Sequence, residues 1–161
     1  MPEITPCLWF NYQAEEAAAF YTSIFPDSRI DSVSRSPGDN PSTKAGDVLL
    51  VLFTLSGRPF IGLNGGPQFP FSEAISFEID CADQAEVDRY WEALVEGGGE
   101  HSMCGWLKDR FGVSWQVVPR EMGEILGGAD PEGAARAMAA MLQMQKLDVA
   151  ALRAAYDGAA G

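Results

Sequence analysis

The chain has 161 residues, with 11 basic against 23 acidic side chains and a formal net charge of −12. Such a surplus of carboxylates repels phosphate backbones and anionic lipid surfaces, so we expect neither nucleic acid nor a membrane among its partners. Hydrophobic residues make up 47% of the chain and charged residues 21%, a balance typical of a globular protein with a sizeable core.

Two features of the sequence bear on the cellular compartment. The opening stretch MPEITPCLWF has no basic segment ahead of an apolar one, so no signal peptide is predicted. The three cysteines, Cys7, Cys81 and Cys104, are an odd number without paired spacing, which favours reduced thiols over disulfides. We therefore expect a cytoplasmic protein.

The first half of the chain predicts one helix among four strands. Alternating apolar residues predict strands over residues 4–10, 29–35, 48–55 and 58–64. Apolar residues at helical spacing predict a helix within 12–25, with Asn11 as its N-cap and Pro26 as its stop. Ser56 and Gly57 predict a hairpin turn between the last two strands.

The second half repeats this order of elements. Residues 83–96 align with the first helix at an offset of 71 and again place apolar residues at helical spacing, after Asp83 as a candidate N-cap. Strands are predicted over 73–80, roughly 100–108 and 113–119, where Asp109 and Gly112 suit a tight turn. The chain therefore runs β-α-β-β-β twice, which favours two similar halves with a shared cleft.

The last part of the chain predicts helices. Asp130 is a candidate N-cap with Pro131 at the first helical position, and Asp148 is a candidate cap for a second helix. Met138, Met141, Leu142 and Gln145 form a stripe on one helical face, as core or subunit-interface residues do. We predict one domain, residues 1–161, made of module one (3–66), module two (72–119) and a C-terminal helical extension (120–157).

Several stretches resemble one known family. They are ITPCLWF, GRPFIGLNGGPQF, EAISFEIDC, DRYWEALVEGG and, most specifically, CGWLKDRFGVSWQVVP. They resemble PhnB-like proteins labelled 3-demethylubiquinone-9 3-methyltransferase, a branch of the vicinal oxygen chelate superfamily of glyoxalase I, extradiol dioxygenases and bleomycin-resistance proteins. The resemblance implies an α+β fold in which two tandem βαβββ modules form a cupped mixed sheet (the glyoxalase/bleomycin-resistance fold), followed here by C-terminal helices.

The resemblance also implies where a metal would be bound. The superfamily's metalloenzymes place His or Glu on the first and last strands of each module, where a divalent ion polarises substrate oxygens. These positions fall at Thr5 or Pro6, Ala74, Asn64 and Gln116. None of these side chains is ionisable, so we expect no metal and no other cofactor. The only histidine, His101, is expected at the surface.

Strand alternation and the resemblance together predict the lining of the cup. The candidate ligand-binding residues are Cys7, Trp9, Asn64, Trp106, Ser114 and Gln116. Glu78 is a candidate general base and Cys104 a candidate nucleophile. Each also has a structural interpretation: the tryptophans as core, Asn64 as a turn residue, and Glu78 in an ion pair with Lys108 or an arginine.

The pattern favours a protein that binds a small aromatic or amphipathic molecule without a metal. One alternative is an enzyme of unknown reaction, such as a glyoxalase-like isomerase or lyase; another is a protein whose cup is filled by its own side chains and which acts by association. The labelled methyl transfer is disfavoured, because no glycine-rich turn lies between a strand and a helix N-terminus. The Met-rich tail and the resemblance favour a homodimer.

Overall fold

The computed structural model describes residues 1–159 and divides into two compact units, with the boundary between Phe71 and Ser72. Each unit contains a four-stranded mixed sheet and a helix that follows its first strand. No helix in this described part of the chain is both long and apolar enough to cross a membrane.

The first unit contains the strands and helix that the alternation predicted. They are β1 (Cys7–Phe10), α1 (Ala14–Ile24), β2 (Arg29–Arg35), β3 (Val48–Leu55) and β4 (Arg58–Asn64). The sheet order is β1-β4-β3-β2, with β1 parallel to β4 and the other pairs antiparallel. The β3–β4 turn has positive φ at both Ser56 (47°) and Gly57 (75°), as the two-residue hairpin prediction requires.

Helix α1 lies on one face of the first sheet. Leu8 and Phe10 of β1 are buried there, while Cys7 and Trp9 point to the opposite face, as a period of two dictates. Gly62 allows the close approach of the helix, because a Cβ at this position would lie 3.1 Å from the Cβ of Ala14.

The second unit repeats the topology. Its elements are β5 (Ser76–Cys81), α2 (Gln84–Ala93), β6 (Glu100–His101), β7 (Trp106–Lys108) and β8 (Ser114–Pro119). The order is β5-β8-β7-β6, with β5 parallel to β8. Val87, Trp91, Trp115 and Val117 are buried in this unit. The predicted α+β class, with mixed sheets and C-terminal helices, is confirmed.

Three helices follow β8: α3 (Glu121–Leu126), α4 (Pro131–Met141) and α5 (Val149–Asp157). Their own small core consists of Met122, Ile125, Ala137, Leu147 and Leu152. The predicted methionine stripe is divided, because Met141 packs against this core whereas Met138 and Leu142 are exposed.

The helix caps show which contacts sequence spacing predicts. Asp83, Asp130 and Asp148 each accept a hydrogen bond from a backbone N–H in the first turn of their helix, as predicted. The prediction of Asn11 as the cap of α1 is wrong. The first N–H of α1 donates instead to the side-chain oxygen of Asn64, 50 residues away in sequence, at 2.9 Å.

Candidate functional site

The turn between β7 and β8 is organised by one buried carboxylate. Asp109, 3% exposed, accepts hydrogen bonds from the backbone N–H groups of Phe111 (2.9 Å) and Val113 (3.0 Å) and from Nε1 of Trp115 (2.9 Å). Gly112 has a φ of 89°, which a glycine adopts without strain. The turn therefore fixes β8 against β7.

The register of β7 and β8 places four side chains on the same face of the second sheet. Trp106 lies opposite Gln116, and Lys108 lies opposite Ser114. Residues directly opposite in a ladder point to the same side of the sheet. Because Trp115 and Val117 are buried with the residues of α2, the face away from the helix, here called the distal face, carries Trp106, Lys108, Ser114 and Gln116.

A cavity of about 340 Å³ lies at the distal face, within the second unit. Its polar and aromatic wall is formed by Glu73, Ser102, Cys104, Trp106, Lys108 and Ser114. Met103 and Leu107 complete the wall. Three of the predicted site residues, Cys104, Trp106 and Ser114, are therefore brought together.

Ser114 is the unusual member of this wall. Its side chain is 1% exposed, and its Oγ is buried without a hydrogen-bond partner. A buried polar group without a partner costs about 1–3 kcal/mol. Because almost none of the surface of Oγ is exposed, a molecule in the cavity can become its partner only after the Ser114 side chain changes its χ1 rotamer.

Lys108 and Glu73 form an ion pair at the cavity. The Nζ of Lys108 lies 2.9 Å from Oε1 of Glu73, and the two side chains are 42% and 62% exposed. Their hydrogen bond lowers the pKa of Glu73 and raises the pKa of Lys108. Both groups are therefore charged at neutral pH. The predicted alternative in which Glu78 pairs with Lys108 is not what the structure shows.

Cys104 contacts the end of α4 and the segment after it. Its backbone N–H donates to the carbonyl of Met144 at 2.8 Å, and its thiol donates a weak hydrogen bond to the carbonyl of Met141 at 3.6 Å. The φ of Cys104 is 58°, uncommon for a residue other than glycine. These backbone contacts fix the thiol at the cavity wall.

Gln116 and Glu78 lie opposite each other on β8 and β5 but do not line the cavity. The Nε2 of Gln116 donates to Oγ of Ser76 at 2.9 Å. Glu78 is exposed. The candidate general base is therefore outside the wall that contains Cys104.

The predicted site residues of the first unit have separate surroundings. Cys7 is exposed. Trp9 donates from Nε1 to the carbonyl of Gly66 at 2.8 Å and packs so closely on Gly65 that a Cβ there would lie 2.1 Å from the indole. Because Cys7 and Trp9 are two residues apart on β1, both side chains point to the face of the first sheet opposite α1.

Asn64 requires a correction, because it lies on the helix face of the first sheet. It is 5% exposed and shares that face with Phe10, its partner in the ladder. Its Oδ1 accepts from the N–H of Ala14, and its Nδ2 donates to the carbonyl of Val48 at 3.0 Å. The side chain is thus a link between backbone segments, away from the face of Cys7 and Trp9.

His101 also differs from the expected surface position. It is half-buried, stacked on Trp91 with ring centroids 4.3 Å apart and planes 3° from parallel. Its Nε2 lies 2.9 Å from the carbonyl oxygen of Trp91. The only histidine therefore packs against α2 and does not line the cavity.

The side chains do not fit the divalent ion that the superfamily implies. Gln116 is a neutral amide hydrogen-bonded to Ser76, and Asn64 caps a helix. Within residues 1–159, no three His, Cys, Asp or Glu side chains come together as metal ligands. Hard divalent cations require several oxygen ligands with compensating charge, and this donor set lacks them.

Glu73, Ser102 and Lys108 were missed as wall residues. Sequence reasoning could have found Lys108, because it follows Trp106 by two residues on β7 and its side chain therefore points to the same face. Glu73 and Ser102 fall within the strands predicted over 73–80 and roughly 100–108, but the structure places both outside strands, so alternation does not give their orientation.

Solved structures share this fold. A PhnB protein from Bacillus cereus, described as a putative 3-demethylubiquinone-9 3-methyltransferase, is 35% identical over 73% of this chain and 99% of that chain, with a TM-score of 0.65. Two others show the fold alone. Protein PA1353 from Pseudomonas aeruginosa is 23% identical over 74% and 98% of the two chains, with a TM-score of 0.55. The fosfomycin resistance protein FosX from Listeria monocytogenes, complexed with Mn(II) and sulfate, is 16% identical over 78% and 95%, with a TM-score of 0.53.

The repeated βαβββ topology and these neighbours define a protein of the vicinal oxygen chelate superfamily. Residues 2–118 match the family described as 3-demethylubiquinone-9 3-methyltransferase. The chain belongs to this family, in its PhnB-like branch. None of the proteins with curated annotation matches the sequence significantly.

Proposed function

We propose that this protein binds a small aromatic or amphipathic molecule, without a metal ion, in the cavity on the distal face of the second sheet. The observation that supports this most directly is the buried, unpartnered Oγ of Ser114 in the cavity wall. A hydroxyl in that state lowers stability in the free protein, and a bound hydrogen-bonding group removes the penalty.

The rest of the wall favours an amphipathic occupant. Trp106 and Met103 offer aromatic and apolar surface, whereas Ser102, Lys108 and Ser114 offer hydrogen bonds. A cavity of about 340 Å³ with a few polar groups among apolar ones has the character of a small-molecule site.

The proposal is tested by isothermal titration with 2-naphthol, a neutral amphipathic aromatic compound. We expect Ser114→Ala to weaken binding about fivefold, the effect of one neutral hydrogen bond. Because the hydroxyl has no partner in the free protein, the same variant should unfold at an equal or higher urea concentration. Ser34→Ala, at an exposed position of β2, is the matched control. Unchanged affinity in Ser114→Ala, or no binding to the parent protein, contradicts the proposal.

Methyl transfer is not included in the proposed function. The Gly65–Gly66 segment joins β4 to a loop, and Gly97–Gly99 joins α2 to β6. Nucleotide-type cofactors are typically held by a glycine-rich turn that enters a helix N-terminus. Neither glycine segment enters a helix.

We also propose that the protein forms a homodimer. Met138 and Leu142 are four residues apart at the end of α4 and are both exposed, which supports an apolar contact with another copy. Light scattering at micromolar concentration should give twice the chain mass, and a Met138→Glu/Leu142→Glu variant should give a lower mass. A monomeric mass for the parent protein contradicts the dimer.

A further inference from the structure

We propose that the occupant of the cavity is an aromatic acid, whose carboxylate accepts hydrogen bonds from Nζ of Lys108 and Oγ of Ser114 while its ring lies against Trp106. This inference rests on the proposed function and adds the chemical class of the ligand. It follows from the register of two strands, from an unpaired hydroxyl and from an ion pair.

The register brings two donors together. Lys108 and Ser114 are directly opposite in the β7–β8 ladder, so their Cβ atoms are about 4.5–5.5 Å apart on the same face. Both side chains line the cavity. A carboxylate is acceptor-only and has two oxygens, so it can satisfy an ammonium and a hydroxyl at once.

Glu73 shows that a carboxylate is accommodated at Lys108. Its Oε1 lies 2.9 Å from Nζ, on a side chain that precedes β5 and is more than half exposed. Ion pairs between exposed side chains contribute little to stability. A ligand carboxylate that also reaches the buried hydroxyl of Ser114 therefore replaces the carboxylate of Glu73 at small cost.

Trp106 determines where the rest of the ligand lies. It is two residues before Lys108 on the same strand and so points to the same face, beside the two donors. The net charge of −12 opposes an anion at long range, but charges more than about 8 Å away are largely screened at physiological salt. Glu100, directly opposite Lys108 on β6, lies within this range, so the preference requires the direct contact with the ammonium to outweigh repulsion from Glu100.

The experiment compares 2-naphthoate with 2-naphthamide, which have the same ring and nearly the same shape but differ in charge. We expect the parent protein to bind the carboxylate about tenfold more tightly, since charge-assisted hydrogen bonds are about twice as strong as neutral ones. Lys108→Met should abolish this preference. Glu73→Gln should tighten carboxylate binding about threefold more than amide binding, because it removes a carboxylate that competes for the ammonium and repels an anion.

The chain supplies a matched control in a second ion pair. Lys146 Nζ lies 2.9 Å from Oδ1 of Asp88, and neither residue lines the cavity. Lys146→Met and Asp88→Asn change the net charge by the same amounts as the two test variants, so they report any effect of charge alone. We expect both control variants to keep the parent's preference.

Each outcome separates this inference from the proposed function. If 2-naphthoate and 2-naphthamide bind equally well, and Ser114→Ala weakens the binding of both, the proposal that the ligand is an aromatic acid is overturned. The proposed binding function is then still supported. A carboxylate preference that survives Lys108→Met, or that Lys146→Met removes equally, also overturns it. If 2-naphthoate, 2-naphthamide and 2-naphthol all fail to bind, the proposed function itself is overturned.

Discussion

Asp109→Asn tests the structural basis of the distal face. The substitution keeps the shape of the side chain but leaves one oxygen for three donors. If that oxygen continues to accept from the N–H groups of Phe111 and Val113, the new amide nitrogen faces the Nε1–H of Trp115. A hydrogen bond to a charged group contributes about 1.5–3 kcal/mol, and the loss of the carboxylate weakens the remaining two, so we expect a loss of about 2–4 kcal/mol.

Urea unfolding measures this loss of stability. A double-mutant cycle with Trp115→Phe then shows how much of it comes from the hydrogen bond between Asp109 and Trp115. Trp115→Phe removes the indole donor, so it should cost less in the Asp109→Asn background than in the parent, with a coupling energy of about 1.5–3 kcal/mol. Asp157→Asn, at an exposed position, should stay within about 0.5 kcal/mol of the parent. A loss in Asp109→Asn no larger than in this control, or additive effects in the cycle, refutes the role assigned to the carboxylate.

Three further expectations concern buried groups. Asn64→Ala should lower the free energy of unfolding by about 2–4 kcal/mol in urea, because the buried N–H of Ala14 and the carbonyl of Val48 lose their partners. Burial raises the pKa of Cys81 to about 12, so only the unfolded chain ionises this thiol between about pH 9 and pH 12. The free energy of unfolding should therefore fall by about 1.4 kcal/mol more in the parent than in Cys81→Ala between about pH 8 and pH 10, and equal slopes contradict this assignment. Iodoacetamide at about pH 8 should modify Cys104 but not Cys81 in the folded protein, and 2-naphthoate should slow the reaction at Cys104.

The contacts that sequence predicted are local ones. Asp83 caps a helix that begins one residue later, and its role depends only on backbone geometry within one turn. The β3–β4 hairpin likewise follows from two adjacent residues, Ser56 and Gly57. The cap of α1 could not be found in this way, because Asn64 reaches the helix only when β4 pairs with β1.

The same distinction applies to the candidate site. Alternation placed Ser114 and Gln116 on the same face of β8, and the register agrees, because the parity of a strand is a local property. It said nothing about hydrogen bonding across strands, and the missing partner of Ser114 is visible only in three dimensions. Glu73 enters the wall from the residues before β5, where the strand predicted from residue 73 is not formed, so alternation does not describe its orientation.

Gln116 and Ser114 are connected through Ser76. Ser76 lies directly opposite Ser114 in the β5–β8 ladder, yet its Oγ accepts the amide proton of Gln116 at 2.9 Å. A glutamate, which the superfamily's metalloenzymes have at this position, is acceptor-only when ionised and cannot donate that bond. The amide therefore donates to a hydroxyl from which a carboxylate could only accept, while Oγ of Ser114 stays without a partner. The polar atom without a partner is consequently Oγ of Ser114, two residues before the position that the sequence pattern emphasises, and its residue lies opposite Lys108.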